Sequence, residues 1–94
     1  MKIATTIKEV RKQVADWKRE GLTVGLVPTM GALHEGHASL VDAAKEQCDR
    51  VVTSVFVNPT QFAAGEDLDD YPRDFDRDCG ILEAHGCDLV FHPS

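Results

Sequence analysis

Two histidines, His34 and His37, stand three residues apart in the stretch PTMGALHEGH, with Gly36 between them. An imidazole is donor and acceptor when neutral, and a double donor when protonated. The stretch follows a short β-branched run, TVGLVP (23–28), and precedes a helical pattern, so it reads as the turn from a strand into a helix. Gly31 allows that turn to be sharp, and Gly36 removes a side chain between the rings, so a ligand can approach the main chain. A helix starting near His34 or Glu35 offers free N–H groups and the positive end of its dipole. Histidines at i and i+3 on its first turn point their ring nitrogens at one place. That combination suits a polyphosphate. Other chemistries fail on spacing. A zinc protease motif needs histidines at i and i+4, and neither G-x-G-x-x-G nor the P-loop lysine signature is present.

The elements that must position these residues alternate between two periods. Ile7, Val10, Val14 and Trp17 sit at helical spacing behind a Thr6/Glu9 capping box, which predicts a helix over 6–20 that stops at Gly21. Ile3 marks a very short strand before it. The runs TVGLVP (23–28) and VVTSVFV (51–57) are nearly apolar throughout, as strands covered on both faces are. Between them Leu33, His37, Leu40, Val41, Ala44 and Cys48 follow helical spacing, predicting a helix over about 35–47. A further helix is expected at about 73–85, with Phe75, Cys79 and Leu82 inward, and DLVFHP (88–93) reads as another buried strand.

Strand, helix, strand, helix, strand, helix, strand, with right-handed crossovers, is a doubly wound, Rossmann-like parallel sheet. In such a sheet ligands bind outside the carboxyl ends of the strands. Two segments converge there: PTMGALHEGH, and NPTQF at the start of the fifteen-residue connection 58–72. A connection of that length inside a compact domain is more often functional than idle. If the chain is a piece of a longer protein, TVGLVP keeps one unpaired edge, which invites pairing with another chain.

Composition narrows the function classes. Ten basic against sixteen acidic side chains give a net charge of −6, which argues against a general nucleic-acid binder. Three cysteines without CxxC spacing suggest neither a disulfide framework nor a zinc knuckle, and fit a reducing cytosol. The charged N-terminus is no signal peptide, and no apolar run approaches the ~20 residues needed to span a bilayer.

PTMGALHEGHASLV, SVFVNPTQF and EDLDDYPRDFDRD together resemble the pantoate–β-alanine ligase (pantothenate synthetase) family of the nucleotidylyl transferase superfamily. Its H-x-G-H motif stands here as His34-Glu35-Gly36-His37. H-x-G-H alone would fit many adenylyl and cytidylyl transferases; with FVNPTQF and DYPR the resemblance is specific. It covers all 94 residues, read as the N-terminal part of a Rossmann-like nucleotide-binding domain and the first third or so of a typical member.

The resemblance implies an ATP-dependent ligase that makes pantoyl adenylate and then joins it to β-alanine. It implies that Met30, Gly31, Ala32, Leu33, His34, Glu35, Gly36 and His37 line ATP, with His34 and His37 on its phosphates and His37 the usual proton donor. Gln61 would bind pantoate and lie near β-alanine; Thr29, Met30 and Phe62 would wall pantoate's gem-dimethyl carbon; Tyr71 would lie near the site mouth. Mg²⁺ is expected with ATP, but Arg77 and Ile81 stand where some members place metal-binding side chains. Asp78 alone remains, and metal contacts stay unassigned. His85 and His92 are read as structural or surface residues. The resemblance also implies a homodimer in the full-length protein, and a cytoplasmic location is expected. The family's lysine- and serine-bearing loop and its second pantoate glutamine have no counterpart here, so the chain alone is expected to lack useful activity. A different H-x-G-H nucleotidylyltransferase, or a folded module without catalysis, are the alternatives.

Overall fold

The computed structural model describes residues 1–56 and 74–93. Seven elements follow in order: β1 (Lys2–Ala4), α1 (Ile7–Arg19), β2 (Val24–Thr29), α2 (Glu35–Gln47), β3 (Arg50–Val55), α3 (Phe75–Ala84) and β4 (Leu89–Phe91). Each expected element is present within a residue or two. Thr6 caps α1 as its spacing predicts, its hydroxyl accepting from the Glu9 amide at 3.2 Å. The Glu9 carboxylate in turn accepts from the hydroxyls of Thr5 and Thr6. The connection 58–72, with Gln61, Phe62 and Tyr71, lies outside the described residues.

The four strands form one parallel sheet in the order β1-β4-β3-β2. From β2 the chain steps through β3 to β4 in one direction, while the link from β1 to β2 runs back across the sheet. Right-handed crossovers taken in opposite directions put their helices on opposite faces. On one face α2 and α3 cover Val27, Val51, Val55 and Val90, with Leu33, Val41 and Leu82 filling the layer between. On the other, α1 sets Trp17, Val10 and Val14 over Ala4, Val52 and Leu89. The doubly wound architecture is therefore present. The cysteines are free. Burial, and then the carboxylates of Asp76 and Glu83, push the Cys79 thiol above its ordinary value, the opposite of an activated nucleophile.

Two expectations need correction. β2 is not covered on both faces: Val27 is buried under α2, but Leu26 is 67% exposed and Pro28 is also exposed. α1 lies over β1, β4 and β3 and reaches β2 only at Val24. Leu40, expected inward on α2, is 55% exposed, because Ala38 and Val41 already turn that helix's inner face to the sheet.

The edge of β2 is open among the described residues. Arg50 and Phe56 donate their amides to the carbonyls of Thr23 and Thr29, so odd-numbered residues of β2 face β3. In a parallel ladder the intervening residues, Val24, Leu26 and Pro28, then direct their main-chain groups outward. Pro28 has no N–H to leave unpaired there, which is where a sheet tolerates proline. No charged residue stands between Leu22 and Leu33 to deter a second strand. The 94-residue chain is expected to associate with rising concentration, and Leu26→Lys to shift it toward monomer in light scattering coupled to size exclusion. A parent chain that stays monomeric, with a concentration-independent melt, would show the edge to be protected.

Candidate functional site

At the carboxyl end of β2 the chain makes a turn that few sequences tolerate. Gly31 has φ +86° and Ala32 φ +51°, two successive residues in the left-handed region. For alanine that conformation costs about 1–2 kcal/mol. A Cβ on Gly31 would lie 3.3 Å from Val55 Cγ1 and 3.4 Å from Asp78 Oδ2, so a side chain there would be strained in its dihedral and tight against Val55. The Thr29 hydroxyl braces the entrance, donating to the Ser54 carbonyl at 2.9 Å and accepting from the Gly31 amide at 3.3 Å.

The turn is held from across the site by α3. Asp78, 1% exposed, accepts the Ala32 amide on Oδ2 at 3.0 Å and the Leu33 amide on Oδ1 at 2.9 Å. Arg77 Nη1 donates to the Leu33 carbonyl at 3.0 Å. Hydrogen bonds to a charged group contribute about 1.5–3 kcal/mol each, so the two to Asp78 outweigh the strain at Ala32. Asp78 is the residue that sequence reasoning undervalued. A signal existed, since it falls on the inward stripe of α3 with Phe75 and Leu82, where an acid needs buried partners. Leu33 is 1% exposed in the core with both main-chain groups occupied. It anchors the turn rather than facing a ligand.

The histidines meet as expected, but by an unexpected arrangement. His34 is the N-cap of α2, and its Nδ1 accepts the Gly36 amide at 3.0 Å. His37, one turn on, returns its own Nδ1 to accept the His34 amide at 3.2 Å. This is a capping box built from imidazoles in place of hydroxyl and carboxylate. The ring centroids are 4.1 Å apart with the planes tilted 43°. Each Nδ1 must carry a lone pair, so each neutral ring keeps its proton on Nε2. The pair therefore offers two Nε2–H donors.

Two corrections follow. The start of α2 is less bare than its sequence suggests: the His34 side chain takes the Gly36 amide and, in the capping box, the His37 amide, while the Glu35 amide has no acceptor among the described residues. The place a Gly36 side chain would take is occupied by the His34 ring, although Gly36 itself is exposed. A Cβ there would come within 2.8 Å of His34 Cε1, so the glycine exists to seat the His34 ring.

Burial first, and then the neighbouring His34, hold the His37 imidazole below its ordinary value of 6.5, against an opposing pull from the Asp78 carboxylate. A donor that is neutral near pH 7 fits this better than a standing cation. Met30 is half-buried beside Gly31, and Glu35 is exposed. His85 pairs with Asp42 at 2.8 Å, and His92 stacks on Phe75 at 3.9 Å; neither joins the site. Among the described residues no group of three His, Cys, Asp or Glu side chains is placed to hold a metal ion, and both Asp78 oxygens are engaged by amides.

Nitrogen-15 NMR should find both rings as the Nε2–H tautomer, with His37 titrating below 6.5. Because that pKa is depressed by folding, the neutral cap is at full strength above the unfolded value and fails as pH falls through the folded one. A lost N-cap removes about 1 kcal/mol. Stability that is flat from pH 7 down through the His37 midpoint would contradict the capping arrangement.

The profile of the pantoate-beta-alanine ligase family matches residues 2–94. A pantothenate synthetase from Alkalilimnicola ehrlichii is 57% identical over 93 residues, covering 99% of this chain and 32% of the relative. Another, from Rubrobacter xylanophilus, is 60% identical over 87 residues, covering 93% of this chain and 30% of the relative. The crystal structure of the Thermus thermophilus pantothenate synthetase superposes with a TM-score of 0.87 at 49% identity, over 100% of this chain and 32% of that one. The Francisella tularensis pantoate-beta-alanine ligase, complexed with beta-gamma ATP and beta-alanine, gives 0.88 at 42% identity, over 100% of this chain and 36% of that one. The chain thus spans roughly a third of its relatives' length while matching them from end to end in sequence and fold, and it belongs to the pantoate-beta-alanine ligase family.

Proposed function

We propose that these residues form the ATP-binding, N-terminal part of a Rossmann-like domain in a ligase that joins pantoate to β-alanine. A pantoate carboxylate oxygen attacks the α-phosphorus of ATP and expels pyrophosphate; the β-alanine amine then attacks the acyl carbon and expels AMP. The observation that carries this reading is the imidazole capping box. It presents two Nε2–H donors beside the unclaimed Glu35 amide at the positive end of α2, at the ligand-binding rim of a parallel sheet. The relative bound to beta-gamma ATP and beta-alanine supports the nucleotide assignment.

In this proposal the main chain from Met30 to Ala32 shapes the nucleotide's bed. The Nε2–H groups of His34 and His37 and the amide of Glu35 hold its phosphates. Such donors act by positioning and by stabilising charge as the phosphoryl group transfers. His37 works as a neutral donor, with proton donation to the leaving group as its further role. Thr29, Met30, Gln61 and Phe62 are assigned to pantoate, and Gln61 also to β-alanine. Magnesium would arrive on the nucleotide's phosphates, since the described residues form no cage for it. A homodimer in the cytoplasm is the proposed setting of the whole enzyme. Among the described residues no helix is long and apolar enough to cross a membrane.

ATP titrated into the chain should shift the His34 and His37 ring signals and the Glu35 amide. Replacing His37 by alanine removes a hydrogen bond to a charged group, about 1.5–3 kcal/mol. At about 1.4 kcal/mol per decade, affinity should fall by about ten- to a hundred-fold. No heat and no shift with ATP would overturn the reading in favour of a folded module without a nucleotide site. Pantoate-dependent ATP–pyrophosphate exchange by the 94-residue chain is expected far below that of a full-length relative, and comparable turnover would refute that expectation.

A further inference from the structure

We infer that Asp78 is a positioning residue for the nucleotide-binding turn: it holds Ala32 and Leu33 in the conformation that delivers His34 to the start of α2, without touching the ligand itself. Its carboxylate is buried, and its two oxygens are divided between two consecutive amides of the turn. A buried acid that served only packing would need no such division. The residues it grips are the left-handed Ala32 and the core-anchored Leu33, the last two before the N-cap. Arg77, on the same turn of α3, takes the Leu33 carbonyl, so Leu33 is fixed through both its N–H and its C=O. Val55 and Asp78 lie close around Gly31, where a Cβ would stand 3.3 and 3.4 Å from them, so the turn is packed tightly at that point. With these contacts released, Ala32 relaxes out of the left-handed region and the chain enters α2 along another path. His34 then leaves Gly36, and His37 loses the His34 amide it accepts. The donors survive chemically but no longer share a direction.

The functional half of this inference rests on the ATP reading, and the test separates the two. In the parent chain, amide hydrogen exchange at Ala32 and Leu33 should be slow, and the NOE from the Ala32 amide proton to its own Hα should be strong, as a positive φ requires. Asp78→Asn presents an amide N–H₂ to one of the two backbone donors. It should speed exchange at both amides, weaken that intraresidue NOE and weaken ATP at least tenfold. Adding Ala32→Gly to that variant should recover part of the lost affinity, because glycine adopts the left-handed turn without help; a defect in core packing would not be relieved by a change in the turn. Arg77→Ala supplies a second route if Asp78→Asn does not fold, since the Arg77 side chain is 56% exposed, and it should weaken ATP several-fold in the same direction. If the parent chain binds no ATP, the ligase reading fails, while exchange and the Ala32 NOE still decide whether Asp78 holds the turn. A folded Asp78→Asn chain that binds ATP as the parent does, or a double variant no better than the single one, would overturn the inference.

Discussion

The carboxylate of Asp78 sits where two crossovers of the sheet meet. α2 and α3 share a face because the chain moves from β2 through β3 to β4 in one direction, and that sharing brings α3 against the turn that follows β2. A carboxylate lowered into that seam would be costly if left alone, and it is not alone, because each oxygen meets a backbone amide. The turn's left-handed dihedrals, the N-cap at His34 and the return bond from His37 all follow from that one attachment. The rim is organised from behind, by a residue that faces the core.

The histidines illustrate how an acidic chain can be suited to an anion. With a net charge of −6, long-range attraction does not favour a polyanion. What the rim offers instead is short-range and directional: ring and backbone N–H groups at a helix start. Using each Nδ1 as an acceptor for the helix fixes the tautomer, so the outward nitrogen is a donor without the ring needing to be charged. The burial that lowers the His37 pKa keeps that arrangement intact near neutrality. In the proposed function, capping and recognition are one arrangement of the same two rings.

Much of the fold was legible because its signals are local. Thr6 with Glu9, the stripe ending at Trp17 and the β-branched run at 51–55 each carry their own physics, and each element appeared within a residue or two. The exposure of Leu26 was not legible, since an apolar residue in a strand does not reveal how far a helix on the opposite face extends. Leu40 misled for a similar reason: helical spacing admits a wider stripe than the sheet could cover. In the site, the meeting of His34 and His37 was readable from their spacing, but the direction of each Nδ1 was not. That depends on main-chain dihedrals at Ala32, which a sequence does not print. Asp78 was visible only as an acid at an inward position, and its partners lie 45 and 46 residues earlier in the chain.

The glycine between the histidines invites reading as a mark of what the motif holds. Here it records how the motif is built, because the space beside Gly36 is filled by the protein's own imidazole. A descendant that abandoned its nucleotide would retain the glycine for as long as it retained the first histidine as a cap. Persistence of that pair in a distant sequence is evidence of a shared way to begin a helix, and common chemistry has to be argued from other positions.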